Sequence, residues 1–447
     1  MLIENAVSSH CHRRSENLLH SCLLPLFCTL LLGGCATAAS NHRDPSLDKL
    51  GDFASVAPFY SALDALQSGQ DKKPVTVLQI GDSHSASDAF SGQMRSLLQK
   101  DFGDAGRGFL QPGVPFRYYH PAQVTVSSTG WAPISAFSKN TTGPWGIALI
   151  RQHADKAASM TLTADESGGI GSGKVEFLGQ RGGGQLVVET DDGSRTIIPT
   201  DSLEKSSSMW LRMPVTPNTH SVSVSAVGDG PVDILGWEVQ KGSQTKAAPG
   251  VLYSNLGIGG STIDILNKID PKILSEEMKL LNPSLLIVAF GTNEGFNDKT
   301  DFASYSARYE QLIKKLQTAA PWAGIAVLLP LDGVHKEAHA PSVRSCSGLA
   351  PTGSGFATPP AMNTVRQAQL SIARRNKWKQ WDWRQAMADS AHPDGRCTIL
   401  VWGTRTPPAA AKDHVHLLQT GYRQTAQSFY NDLMSGYRLW RSLKHKK

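Results

Sequence analysis

Pro74-Val75-Thr76-Val77-Leu78-Gln79-Ile80-Gly81-Asp82-Ser83-His84-Ser85 is the stretch that decides the fold. Residues 75–80 are rich in aliphatic and β-branched side chains, the composition of a buried strand. The strand stops at Gly81-Asp82-Ser83, and residues 86–100 carry helical spacing. A strand that runs through a short turn into a helix is the first half of a βα unit. The same pattern returns after residue 250. Strands are expected at 251–256, 284–290, 323–330 and 378–383, and helices at 261–280, 301–319, 362–376 and 421–440. Strand and helix in alternation predict a parallel sheet with helices on both faces.

Between these parts the texture changes. From 113 to 245 the chain shows short alternating runs such as Met160-Thr-Leu-Thr, Gln185-Leu-Val-Val-Glu and Ser221-Val-Ser-Val-Ser, separated by turns such as Asp192-Gly193. That spacing predicts an antiparallel, sandwich-like β module. The expected organisation is 1–34 signal peptide, 35–72 tether and N-terminal helices, 73–112 first part of the α/β domain, 113–245 inserted β-rich module, and 246–447 second part. Residues 46–68 fit one or two helices, and 334–360, rich in Pro, Gly, Ser and Ala, read as a long loop. Gly168-Gly-Ile-Gly-Ser-Gly173-Lys174-Val175 approaches a phosphate-binding loop. It lacks the Ser/Thr after the lysine and sits in β-rich sequence, so it reads as a Gly-rich hairpin. Trp131, Trp145, Trp210 and Trp237 of the insert are candidates for stacking on sugars, with core packing the commoner role for such residues.

The 447 residues carry a net charge of +6, with no run of five Lys/Arg. A nucleic-acid partner is therefore not expected, whereas an anionic polymer would suit the mild positive excess. Arg13 and Arg14 precede an apolar core, Leu23–Leu32, which small residues follow; this is a secretion signal rather than a membrane span. Leu32-Gly33-Gly34-Cys35 resembles a bacterial lipobox, which implies lipidation of Cys35. Ala36 in place of Asp implies sorting to the outer membrane. The plainer alternative is an ordinary signal peptide with an incidental cysteine. Of six cysteines, Cys11, Cys22 and Cys28 leave with the signal and Cys35 takes lipid. Cys346 and Cys397 remain as an even pair in an oxidising compartment. A disulfide between them is the expectation, with two free buried thiols as the alternative. Nothing in the Cys/His spacing suggests a metal, and no cofactor is expected.

Four separated blocks carry chemistry. Ser83 stands where a buried strand ends, at the edge of an open parallel sheet that binds ligands. Asn255-Leu-Gly-Ile-Gly-Gly260-Ser-Thr follows a second strand, and its glycines allow close backbone approach. Phe290-Gly291-Thr292-Asn293-Glu294 follows a third, and the Asn293 amide can donate to an oxyanion. In Asp413-His414-Val415-His416 the spacing lets Asp413 orient His416 as a base; His414 is the competitor for that role. Each block alone has an ordinary reading as a helix cap, a turn or a solvated loop.

Together and in this order the blocks resemble those of the SGNH/GDSL hydrolases, with Ser83, Gly260, Asn293 and His416 at the matching positions. The resemblance implies a flavodoxin-like three-layer domain and ester hydrolysis without metal. It implies Ser83 as nucleophile, His416 as base and Asp413 as third triad member. It places the Ser83 and Gly260 N–H groups and the Asn293 side chain in the oxyanion hole. Asp82 is expected to hold the turn; His84 is open between substrate contact and packing. Gly81-Asp-Ser-His-Ser-Ala, Gly291-Thr-Asn-Glu, Trp381-Asp-Trp and Asp413-His-Val-His look like the periplasmic peptidoglycan O-acetylesterases of Gram-negative bacteria, which also carry an inserted β module. The segment 388–403, with Cys397, departs from that pattern. The resemblance implies removal of acetyl from N-acetylmuramic acid of peptidoglycan, in the periplasm, by a lipoprotein held at the outer membrane. Rival readings are an O-acetyltransferase on an envelope polysaccharide, a lipase or lysophospholipase, and a catalytically silent glycan-binding lipoprotein. The oligomeric state is not legible.

Overall fold

The computed structural model describes residues 47–444 except 166–168, 204–205, 217, 244–245, 247 and 351. The expected signal peptide, the lipobox and Cys35 lie outside the described residues. The N-terminal helices are a 3-10 segment, Leu47–Val56, and the α-helix Ala57–Gln67.

Five parallel strands form the central sheet in the spatial order Val251–Gly257, Val75–Gly81, Pro283–Ala289, Gly324–Leu329, Lys379–Asp382. Numbered along the chain this is 2-1-3-4-5, the flavodoxin-like order. The four longer strands are largely apolar and buried because both faces are covered, whereas the edge strand Lys379–Asp382 alternates between buried and half-buried residues. Alternate side chains divide between two cores. Val75, Val77, Leu285 and Ile287 meet Phe59 and Leu63 of Ala57–Gln67, Phe90 and Met94 of Ala89–Phe102, and Phe429 and Leu433 of Gln419–Lys444. Leu78, Ile80, Leu286 and Val288 meet Met278 of Pro271–Leu281, Leu312 and Leu316 of Phe302–Ala319, and Ile372 of Met362–Asn376. Fully burying such an aliphatic side chain contributes about 1.5–3 kcal/mol, so the sheet is the stable platform of the molecule.

The helix expected over 261–280 is split into a 3-10 turn, Ile263–Lys268, and an α-helix, Pro271–Leu281. Pro271 explains the break. It drives Asp270 into extended backbone, and the Asp270 carboxylate accepts the N–H groups of Lys272 and Ile273 as an N-cap.

The insert consists of two antiparallel sheets. One runs Ser207–Arg212, Ser172–Gly179, Val232–Gln240, Ile150–Ala154, Ala132–Ser135; the other runs Val124–Thr129, Ala158–Ala164, Ser221–Ala226, Gln185–Thr190, Arg195–Pro199. Phe177, Ile234 and Trp237 of the first pack with Leu162, Val188 and Val222 of the second. The module starts earlier than the boundary at 113, because Gly108–Leu110 already pairs antiparallel with Trp237–Val239. Three residues flanked by loops are too short a run for period-2 reading to find. The module also sits on the α/β domain. Trp145, Ile147 and Trp210 join the core beneath Pro271–Leu281, and both oxygens of Glu277 accept the N–H of Ile147, at 2.9 and 2.8 Å. The described part of the phosphate-loop-like stretch, residues 169–175, leads into the strand Ser172–Gly179; a side chain at Gly171 would strike the carbonyl of Gly242.

Cys346 and Cys397 are joined in a disulfide, which pins the loop after Leu331 to the segment before the helix Thr398–Gly403. Both cysteines are fully buried.

Candidate active site

Strand Val75–Gly81 delivers Ser83 to the carboxyl edge of the sheet. Gly81 has to be glycine: a Cβ there would lie 2.3 Å from Ser85 Oγ and 2.5 Å from the Ala289 carbonyl. Asp82 then caps the short helix Ser83–Ala86, its Oδ1 accepting the His84 N–H at 3.0 Å. Burial pushes the Asp82 carboxyl up to about 8. Gln79 and Asn255 hold the far side of the turn. Gln79 Nε2 donates to Ser85 Oγ at 2.8 Å, and Asn255 Nδ2 donates to the Ser85 carbonyl at 2.6 Å. Just beyond, the buried Asp88 carboxylate pairs with Arg95 and Arg107 and accepts the N–H of Ala122, tying the turn to the insert.

His416 arrives from the loop before the last helix. Asp413 Oδ1 accepts the N–H groups of Val415 and His416 at 3.0 and 2.9 Å. Its Oδ2 lies 2.7 Å from His416 Nδ1, and since a carboxylate only accepts, Nδ1 carries the proton. His416 Nε2 is then left as an acceptor, 2.8 Å from Ser83 Oγ, whose hydroxyl donates to it. Burial pushes the Asp413 carboxyl up, but the N–H groups of His416 and Val415 and the imidazole outweigh it and leave the group below the usual carboxylate range. The structure thus joins Asp413, His416 and Ser83 in one hydrogen-bonded chain. The competitor His414 turns away and packs edge-on against Phe356, with ring centres 4.8 Å apart.

Gly260 and Asn293 stand on neighbouring turns that are clamped together. Gly260 has a left-handed φ of 77°, which suits glycine. Asn293 Nδ2 donates to the Ser261 carbonyl at 2.8 Å, and Glu294 Oε1 accepts the N–H of Ile263 at 2.9 Å. Burial pushes the Glu294 carboxyl up to about 7. Gly291, with φ 137°, lets the chain turn below Pro330; a Cβ would lie 2.9 Å from that ring.

A cleft of about 450 Å³ opens beside Ser83. Its floor includes Ala86, Ser87, Ile258 and Gly259, and its other wall is the insert, through Pro115, Phe116, Tyr118, Ser135, Phe137 and Ser138. Trp131, Trp145, Trp210 and Trp237 are buried, so they are packing residues. The exposed aromatics at the cleft, Tyr118 and Phe137, were not distinguishable from core residues by spacing. Gln79, Asn255 and Tyr422 are further residues that sequence reasoning did not assign. Their roles depend on partners more than 150 residues away, except for the Gln79–Ser85 bond.

A serine hydroxyl that donates to a histidine oriented by a carboxylate is the arrangement of a serine acyl hydrolase. Residues 228–424 match the sequence profile of the GDSL-like Lipase/Acylhydrolase family, a stretch that holds Gly260, Asn293, Asp413 and His416. Among solved structures, a peptidoglycan O-acetylesterase is similar over 85% of this chain and 96% of its own, at 24% identity and a TM-score of 0.67. A GDSL-like lipase from Bacteroides thetaiotaomicron covers 41% of this chain and 76% of its own at 14% identity and a TM-score of 0.27. A family two carbohydrate esterase from Cellvibrio japonicus covers 70% and 99% at 11% identity and a TM-score of 0.26. No curated protein matches. The match over residues 228–424 and the hydrogen-bonded chain Asp413–His416–Ser83 mark a serine esterase that is similar to the SGNH/GDSL hydrolases.

Proposed function

We propose that the protein removes O-acetyl groups from a cell-envelope glycan, with the acetylated N-acetylmuramic acid of peptidoglycan as the first substrate. The observation that carries this reading is the chain from Asp413 through His416 to Ser83, at 2.7 and 2.8 Å, opening on a cleft walled by the insert. In this reading His416 takes the Ser83 proton as Oγ attacks the acetyl carbonyl. The negative oxygen meets the N–H groups of Ser83 and Gly260 and the Asn293 amide. The C–O bond to the sugar then breaks, and His416 returns the proton to the departing sugar oxygen. Water, deprotonated by His416, then attacks the acetyl-Ser83 ester; the bond from Oγ to the acetyl carbon breaks, and His416 returns the proton to Oγ as acetate leaves. A fold neighbour similar over 85% of this chain, more than the α/β part alone, is a peptidoglycan O-acetylesterase, which supports putting that polymer first. The net charge of +6 suits an anionic polymer.

Lipidation of Cys35 and a place on the periplasmic face of the outer membrane complete the proposal; they rest on the sequence of residues 13–36. No described helix is long and apolar enough to cross a membrane. Mass analysis of the mature N-terminus tests this part: diacylglyceryl-cysteine at position 35 supports it, and an unmodified Cys35 or an N-terminus at Ala36 refutes it.

The function is tested by incubating the protein with O-acetylated peptidoglycan and measuring free acetate against Ser83→Ala. Acetate from the intact enzyme alone supports the reading. Cleavage of an aryl acetate without release from the polymer moves the activity to another ester, a lipid included. Turnover only with an added acetyl acceptor marks a transferase. Polymer binding without any turnover marks a silent binding protein.

A further inference from the structure

Phe137 is half exposed, yet its turn is tied down at several points. Ala136 donates its N–H to the Leu149 carbonyl at 2.8 Å, and Phe137 donates to Ser135 Oγ at 3.1 Å. Thr141 Oγ1 donates to the carbonyls of Ser135 and Ser138, both at 3.0 Å, and the Lys268 ammonium reaches across from the α/β domain to the Ala136 carbonyl. The ring is therefore presented rather than loose. It leans over the oxyanion glycine: a Cβ on Gly260 would lie 3.3 Å from Phe137 Cζ. On the same wall Tyr118 is 73% exposed, and the Arg117 guanidinium stands 5.4 Å over its ring.

Holding apolar rings in water beside a nucleophile has a solvation cost that a bound ligand removes. The flat faces of Phe137 and Tyr118 fit the C–H face of a pyranose, the hydroxyls of Ser135 and Ser138 fit its oxygens, and Arg117 fits an anionic substituent. An acyl chain would need none of the polar groups.

We propose that Phe137 and Tyr118, with Arg117, form a glycan subsite contributed by the insert, in which the sugar carrying the acetyl stacks on Phe137 and an anionic group of the same or the next sugar faces Arg117. These residues set specificity; they do not take part in bond breaking. The proposal rests on the reading of the protein as a glycan esterase.

The test compares KM and kcat on O-acetylated peptidoglycan with those on 4-nitrophenyl acetate for Phe137→Ala, Phe137→Leu, Phe137→Trp and Tyr118→Ala. Phe137→Ala and Tyr118→Ala are expected to raise KM for the polymer about tenfold, several times more than for the small ester. Phe137→Leu keeps an apolar contact on Gly260 without a flat face and should behave like Phe137→Ala, while Phe137→Trp should restore polymer KM. Equal losses of kcat on both substrates would make Phe137 a mere prop for Gly260 and overturn the proposal. So would wild-type KM in both alanine variants. A wild-type enzyme that cleaves the aryl ester but no acetylated glycan would instead fail the underlying reading, and the subsite with it.

Discussion

The imidazoles of His84 and His416 lie 5.0 Å apart, centre to centre, and their surroundings set them to different tasks. His416 is part-exposed and bonded at both nitrogens, to Asp413 and Ser83. His84 is fully enclosed; its Nδ1 meets the Tyr422 phenol at 2.8 Å, and its Nε2 has no partner among the described residues. Burial first, and then the neighbouring His416, hold His84 well below the usual histidine range, so its ring stays neutral and acts as packing under the site.

His84 should therefore contribute nothing to the acid limb of kcat/KM. His84→Gln is expected to lower kcat by about tenfold, through looser packing of His416, without moving that limb. A limb displaced by the substitution would mean that His84 titrates with the reaction.

Asn293→Ala removes an amide whose other tie is the Ser261 carbonyl. In the proposed mechanism that amide donates to the oxyanion, so the variant is expected to lose about 10²–10³-fold in kcat with little change in KM. A variant whose KM rises while kcat holds would make Asn293 a binding residue instead.

Glu176 and Glu277 meet at the contact between insert and α/β domain, each fully buried. Glu176 Oε1 accepts the Ser208 hydroxyl at 2.6 Å, whereas Oε2 has no donor unless a proton is held between the two carboxyls. Burial pushes both up, and the charge of Glu176 pushes Glu277 further. A carboxyl raised in the folded state stabilises fully below its ordinary range, and that contribution is lost as pH climbs through the raised value. Glu176→Gln should therefore gain on the wild type in thermal midpoint as pH rises from about 5 to about 9. A difference that does not depend on pH would show that no proton is shared.

Reduction of the Cys346–Cys397 bridge, which spans 51 residues, should cost about 4 kcal/mol on the chain-entropy model. A fall of roughly 5 °C in melting temperature under reductant, reproduced by Cys397→Ser, is expected for a chain of this size. An unchanged melting curve would show that the buried packing of the two residues suffices.

The four longer sheet strands were legible because burial on both faces makes each mostly apolar, whereas the short edge strand Lys379–Asp382 alternates in burial. Ser83, Gly260 and Asn293 were legible because each sits just beyond a strand run, whereas Asp413 and His416, in the loop before the last helix, were legible from their own spacing. Legibility failed where meaning is long-range. Phe137 and Tyr118 look like core residues until the fold shows their exposure, and Gly108–Leu110 becomes a strand only through Trp237–Val239. Asp270-Pro271 carried a local stop signal, against which the apolar spacing on both sides argued for one helix. Glu277 gives no sign in sequence that it faces Glu176, since strand and helix come from different modules.

The central claim is that Ser83, activated by His416, carries the acyl group. The most direct measurement is to mix the enzyme with 4-nitrophenyl acetate, quench with acid within one turnover, digest it, and weigh the peptides. The account predicts one acetyl on the peptide holding Ser83, none in Ser83→Ala, and loss of esterase activity in that variant. An acetyl on another residue, or Ser83→Ala turning over at the wild-type rate, would contradict it.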